Sequence, residues 1–233
     1  MFNRFLNIFF PESCPVCSRT ATNHRTAPIC NECWESISPY SGPFCDKCGK
    51  PLVSAVSVTC GDCLRDMPAF KSVRSYGLYK GTLKKALNLM KYYGIKRLSK
   101  PLSDKITGIS LPPVDAIIPV PLSKLKLRQR GFNQSALLAK SLADRTDTRL
   151  SLNSLVKLRD TAPQVGLSAK KRRENIKNAF AVNGKETLIN KNILLVDDVF
   201  TTGATIRECS KVLNKAGANA IYVITLAHSS SDD

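Results

Sequence analysis

Two adjacent carboxylates, Asp197 and Asp198, stand just before a run of small and hydroxylic residues, Thr201, Thr202, Gly203, Ala204 and Thr205. The carboxylates offer acceptors to a vicinal diol. The hydroxyls, with the free N–H groups of a loop that enters a helix, offer donors to a phosphate. A ribose 5-phosphate carries both groups at the right separation for one such loop. For the two sets to face one ligand, a strand must end and a helix must begin here. Ile193 to Val196 are four unbroken aliphatics, the pattern of a strand buried on both faces in a parallel sheet, and it is expected to stop at the carboxylates. Beyond the loop, Ile206, Cys209, Val212, Leu213 and Ala216 recur at helical spacing, with Gly217 placed to end the helix. Open α/β sheets bind ligands beyond the carboxyl ends of their strands, where this loop would lie. No G-x-G-x-x-G and no G-x-x-x-x-G-K-[ST] occurs, which sets aside a dinucleotide fingerprint and a P-loop.

A second chemistry lies in the first third of the chain. Eight of the nine cysteines form four C-x-x-C pairs, Cys14/Cys17, Cys30/Cys33, Cys45/Cys48 and Cys60/Cys63, separated by 12, 11 and 11 residues. Two sulfurs two residues apart in a turn can clasp one Zn²⁺, and four thiolates make a closed, structural site. Pro15, Gly49 and Gly61 supply turn chemistry beside the ligands. The reading is two zinc ribbons, Cys14/Cys17/Cys30/Cys33 and Cys45/Cys48/Cys60/Cys63, although the spacing does not exclude interleaved pairing, with the first and third pairs sharing a metal. The ninth cysteine, Cys209, belongs to the apolar helix stripe and reads as core.

The elements that position these groups follow from the rest of the pattern. Residues 1–66 carry 6 Lys/Arg against 6 Asp/Glu, and residues 67–233 carry 29 against 12, so the whole net charge of +17 falls on the second part. A boundary is therefore expected at 66/67, with the second part attracting polyanions. Met1 to Phe10 is expected to form a short helix with Phe2, Phe5, Leu6 and Phe9 on its apolar face, and no run is long enough to span a bilayer. The chain is expected to be cytoplasmic. Ala69 to Tyr79 suggests a strand or two. Thr82 to Tyr92 reads as a helix with Leu83, Leu87 and Met90 inward and Lys84, Lys85 and Lys91 toward solvent. Val114 to Pro121 reads as a second buried strand stopped by prolines, where ligand contacts are again expected. Asn133 can cap a helix running to about Leu142. A strand is expected near Leu152–Leu158, and residues 158–178 read as a mobile basic arm, with a solvated basic helix after Ser168. Ala220 to Ala227 closes the sheet, and Ser229 to Asp233 is a frayed tail.

The segment from Asn192 to Thr205 resembles the phosphoribosyl diphosphate (PRPP) binding motif of the type I phosphoribosyltransferases. That resemblance implies that Asp197 and Asp198 hold the ribose 2- and 3-hydroxyls, that Thr201, Thr202, Gly203, Ala204 and Thr205 wrap the 5-phosphate, and that Mg²⁺ accompanies the diphosphate. Four further stretches extend it: Phe-Pro-x-x-Cys-Pro-x-Cys at the start, Lys91-Tyr92-Tyr93-Gly94, Arg128-Gln129-Arg130-Gly131-Phe132-Asn133-Gln134, and Thr161-x-x-Gln164-x-x-Leu167 with Arg172 and Asn175. From Phe10 to Ala227 the chain is similar to the ComF-type competence proteins. The fold class implied is α/β: a type I phosphoribosyltransferase-like parallel-sheet domain preceded by a small cysteine-rich zinc-ribbon domain with two structural zinc ions. The resemblance also implies diphosphate contacts at Pro119, Val120, Pro121, Lys91, Arg128 and Arg130. It associates the chain with incoming single-stranded DNA in natural transformation, with other competence proteins as further partners. Lys124, Lys126, Arg128 and Arg130 with Lys170, Lys171, Arg172 and Arg173 could then form a cationic track, and Tyr92, Tyr93 and Phe132 could stack on unpaired bases. An active transferase working on an acceptor that the sequence does not reveal is the alternative, and a zinc-ribbon adaptor is a third class. The oligomeric state is left open.

Overall fold

A computed structural model describes residues 12–161, 169–184 and 187–229, with the backbone alone for residues 169, 170, 172 and 173. The expected helix at Met1–Phe10, the centre of the basic arm and all but the first residue of the expected tail lie outside the described residues.

Four parallel strands, β1 (Ser72–Leu78), β2 (Ala116–Pro119), β5 (Asn192–Phe200) and β6 (Ala220–His228), form the main sheet in the order β1-β6-β5-β2. The three strands β2, β5 and β6 are buried on both faces over most of their length because helices cover both, which is why they read as mostly aliphatic runs, while the edge strand β1 is only half-buried. Leu194, Val196, Ile224 and Leu226 point to one side, where they meet α3 (Gly81–Tyr93), α4 (Ser99–Ile106) and α6 (Gln134–Thr146). Ile193, Leu195, Ile221 and Val223 point to the other, where they meet α8 (Ala204–Lys215) and a small antiparallel ribbon, β3 (Leu155–Lys157) with β4 (Phe180–Val182). The helix expected to start after Asn133 does so, with the Asn133 side chain accepting from Ser135 N–H, and it runs four residues past Leu142. The basic helix expected after Ser168 is α7 (Ala169–Ile176).

Two elements differ from the expectation. β5 does not stop at the carboxylates but continues to Phe200, because β6 pairs with it through Val199 and Phe200. Lys124–Arg130 is a helix, α5, although none of its residues is buried. Caps hold it instead: the Ser123 side chain accepts from Lys126 N–H, and Gly131 takes the left-handed conformation at its end (φ 74°).

The cysteine-rich segment, with short helices α1 (Asn31–Glu35) and α2 (Gly61–Arg65), wraps the outer edge of β1. Val73 N–H donates to Lys47 O (2.7 Å), and Tyr40 N–H donates to Tyr76 O (2.8 Å), so one donor and one acceptor that an edge strand would leave open are used. Its two halves sink into opposite cores. Cys14, Ile29, Cys30, Cys33 and Ile37 join the buried cluster of α3, α4 and α6, while Cys45, Cys48, Cys60 and Cys63 join that of α8.

Candidate functional site

The carboxyl ends of β5 and β2 converge on the acidic pair. Asp198 is 4% exposed, and its Oδ1 is 2.9 Å from Lys91 Nζ, an ion pair with the two side chains 5% and 14% exposed. Lys91, expected on the solvent side of its helix, is turned inward by this pairing. Burial would lower its ammonium, but the charge of Asp198, their hydrogen bond and the charge of Asp197 outweigh that and hold it above the usual lysine value. Asp197 accepts at Oδ1 from Ser135 Oγ (2.8 Å) and from Asp198 N–H (2.9 Å). Burial, and then the charge of Asp198, push its carboxyl up to about 7, against those hydrogen bonds and Lys91. The pair is thus a crowded set of charges with one cation between them. The second oxygen of Asp198 is buried and has no partner among the described residues.

The loop after β5 turns through Gly203, whose φ of 72° favours glycine. The position is also too tight for a side chain, since a Cβ there would lie 2.4 Å from Phe200 Cζ. Gly203 is the N-cap of α8 with no side chain capping the helix, so the first-turn N–H groups face the loop. Thr201 is exposed, and Ala204 is buried beneath the turn. The hydroxyl of Thr202 is buried without a partner among the described residues. An orphaned carboxylate oxygen and an orphaned hydroxyl at the two ends of one turn are what a ligand bearing both a diol and a phosphate would satisfy.

At the end of β2, Pro119 and Val120 are buried and Pro121 is half-buried. Val120 N–H donates to Val196 O (2.9 Å), and Asn133 Nδ2 donates to Val120 O (3.0 Å), which ties this turn to the cap of α6. Among the expected basic residues, Lys124 and Arg128 are exposed and Lys126 is half-buried on α5. Arg130 donates to Gln134 Oε1 (2.7 Å) and lies over the Tyr92 ring (5.6 Å). Tyr92 and Tyr93 are 69% and 75% exposed, whereas Phe132, expected as a stacking surface, is 7% exposed in the core with Lys96 over its ring. Phe132 is therefore a packing residue. Lys171 is exposed on α7; the side chains of Lys170, Arg172 and Arg173 lie outside the described residues. Ser135 is a site residue that sequence reasoning missed; its signal was its position just after the cap Asn133, in the first turn facing the strand ends.

The cysteines gather in sequence order, Cys14/Cys17/Cys30/Cys33 and Cys45/Cys48/Cys60/Cys63, the four sulfurs of each set lying within 4.8 Å of one another. Interleaved pairing is thereby excluded. Cys17 and Cys30 sulfurs are 3.5 Å apart and Cys48 and Cys60 sulfurs 3.7 Å, close to the ~3.8 Å edge of a tetrahedron built on Zn–S bonds of about 2.3 Å. Burial, and then the charges of Cys63, Cys45 and Cys60, raise Cys48 above an ordinary thiol. A dication between the four sulfurs would supply the charge that lets them bind as thiolates, so both sets fit a structural zinc ion.

The chain matches the Double zinc ribbon domain family over residues 5–64 and the Phosphoribosyl transferase domain family over residues 133–232. It is 35% identical to Competence protein F of Haemophilus influenzae over 85% of this chain and 90% of that one. It is 30% identical to the DNA utilization protein YhgH of Escherichia coli over 90% and 87%, and 29% identical to Competence protein ComFC of Bacillus subtilis over 86% and 84%. Among solved structures, the glutamine PRPP amidotransferase of Bacillus subtilis aligns at TM-score 0.37 and 21% identity over 62% of this chain and 26% of that one. The described helices include none long and apolar enough to cross a membrane.

Proposed function

Because the chain belongs to the competence protein F family, we propose that it acts in the uptake and processing of transforming single-stranded DNA, binding PRPP in its phosphoribosyltransferase-like site. One observation carries the PRPP reading: the unpartnered Asp198 Oδ2 and the unpartnered Thr202 hydroxyl bracket a single strand-turn-helix. In this reading the ribose diol donates to Asp197 and Asp198, which offsets the burial and the neighbouring charge that raise Asp197. Gly203 and the first turn of α8 receive the 5-phosphate. Lys91 pairs with Asp198 and holds it in place, and Pro119, Val120 and Pro121 with Arg128 and Arg130 face the diphosphate. Mg²⁺ carried with PRPP neutralises that diphosphate.

Single-stranded DNA would run along α5 and the end of α3, where Lys124, Lys126 and Arg128 stand on a helix with no buried residue, Tyr93 is exposed, and Tyr92 is exposed with Arg130 over one face of its ring. Lys170, Lys171, Arg172 and Arg173 would extend the track. A reducing compartment, the cytoplasm, keeps eight thiols available as metal ligands. The second reading, a transferase moving phosphoribose to an acceptor, is favoured by the complete dyad and loop, which would steady charge at the anomeric carbon as diphosphate departs.

Calorimetric titration of PRPP with Mg²⁺ tests the site. Asp197→Asn with Asp198→Asn should weaken binding at least tenfold, roughly the 1.4 kcal/mol or more expected of charge-assisted hydrogen bonds to the diol. Unchanged affinity in the double variant would remove the reading.

A further inference from the structure

The second four-cysteine set leans on both ends of the candidate phosphate loop. At the helix end stands Arg207, whose N–H donates to Gly203 O (2.8 Å) and so closes the first turn of α8. Its guanidinium reaches away from the helix. Nη1 donates to Asp66 O (2.8 Å) and pairs with Asp66 Oδ2 (3.3 Å), while Nη2 lies 3.8 Å from Cys63 Sγ. At the strand end, the Phe200 ring stacks on His228, with centroids 5.0 Å apart. His228 in turn borders Gly49, next to Cys48, where a Cβ would sit 3.9 Å from the imidazole. The Phe200 ring is also the group that leaves no room for a side chain at Gly203. The Phe200 ring thus packs on the left-handed turn and the Arg207 backbone closes the helical turn that follows it, and the ribbon is reached directly by the Arg207 side chain and through His228 by Phe200. The Cys14–Cys33 set packs instead against α3 and α4 on the other face.

We infer that Arg207 and the Phe200–His228 stack are positioning residues through which the second zinc site sets the shape of the phosphate loop. This rests on the reading of that loop as the 5-phosphate site. A guanidinium donating to a zinc-bound thiolate is a charge-assisted contact of the kind that orients a metal site from outside its ligand set. Metal at this set fixes Cys63 and the Asp66 backbone, hence Arg207, hence the turn at Gly203. The coupling must run both ways: if metal raises affinity for the phosphate ligand, the ligand raises the affinity for that metal by the same factor, read here as slower release.

The test is zinc release from the full chain into a zinc-selective chelator, with and without saturating PRPP. Two phases are expected, one slowed about fivefold or more by PRPP and one unaffected. Arg207→Gln should keep two zinc ions per chain yet lose the slowing and bind PRPP more weakly. Arg207→Lys should not restore it, since a single ammonium cannot serve Asp66 and Cys63 together. A second readout needs no variant: in the cobalt-substituted protein, PRPP should shift the thiolate-to-cobalt absorption of one site only. Calorimetric PRPP binding with both release phases and the cobalt spectrum unaltered would overturn the inference alone. Equal slowing of both phases would do the same, as it would report general stabilisation. Absence of PRPP binding in calorimetry would remove the inference together with the site it rests on.

Discussion

Replacing Asp197 by Asn should make the unliganded protein more stable at neutral pH, and by an amount that depends on pH in a defined way. Asn at this position still accepts at Oδ1 from Ser135 Oγ and from the N–H of residue 198, the two bonds that Asp197 makes. What it removes is a carboxyl whose folded value is about 7 against an ordinary 3.8. For such an acid the folded state holds its proton more tightly than the unfolded chain. Stability is therefore full below about pH 4, falls as pH rises toward 7, and is level above. Over that interval, at about 1.4 kcal/mol per pH unit, the loss in the native protein is about 4 kcal/mol. The Asn variant has no such loss. Urea denaturation of both proteins at several pH values is the assay, and for a slope near 2 kcal/mol/M the midpoints should differ by about 2 M at pH 8 and converge toward pH 4. Acid release of zinc affects both proteins alike and cancels in the difference. A difference that stays constant between pH 5 and pH 8, or a variant less stable than the native protein at pH 8, would refute the view that this dyad is placed against the stability of the apo fold.

Gly203→Ala must accept a left-handed backbone and displace the Phe200 ring, so it should cost about 2 kcal/mol or more, read as a lower denaturant midpoint, with PRPP affinity falling as well. Elemental analysis should find about two zinc ions per chain, one for each closed set. Because Cys45, Cys48, Cys60 and Cys63 share a buried cluster with Phe200, Ile206 and Val223, Cys45→Ser should lower the main thermal transition; an unmoved main transition with one zinc lost would show the ribbon to be energetically separate. Binding to single-stranded DNA, followed by fluorescence anisotropy across a salt series, should weaken with a log–log slope of roughly −0.7 per phosphate contact. Neutralising Lys124, Lys126 and Arg128 should flatten that slope, and binding that ignores salt would exclude the cationic track.

What could be read in the sequence was what depends on neighbours along the chain. Ile193 to Val196 announced a doubly buried strand, and Ile206, Cys209, Leu213 and Gly217 announced a helix and its end, because periodicity and capping are local. The cysteine spacing announced two metal sets and left their pairing open, which only the wrapping of the ribbons around β1 decides. α5 escaped because it has no apolar face, so its only signals were Ser123 and Gly131. Lys91 was assigned to solvent by the geometry of its own helix, and nothing within that helix points to Asp198, which is more than a hundred residues away. Phe132 looked like an exposed aromatic among cations; it is buried in the core cluster that also holds residues of α3, α4 and α6. The position of the acidic pair beside a strand-to-helix turn was legible, while its electrostatic state, set by burial, Lys91 and Ser135, was not.

The strand order has a consequence for how the protein is made. β1 lies between the ribbons and β6, and Ser75 meets Thr225 across a separation of 150 residues. At roughly 5–20 residues per second of synthesis, β1 waits about 8 to 30 s for that partner. All eight metal-ligating cysteines precede it, so the ribbons can load zinc on the nascent chain and hold the outer side of β1 by Tyr40 and Lys47 before the inner side has anything to pair with. A strand that would otherwise present two open edges during translation then presents one. In that order of events the zinc segment would guard the growing polypeptide, and the outcome expected of zinc depletion is aggregation of unfinished chains.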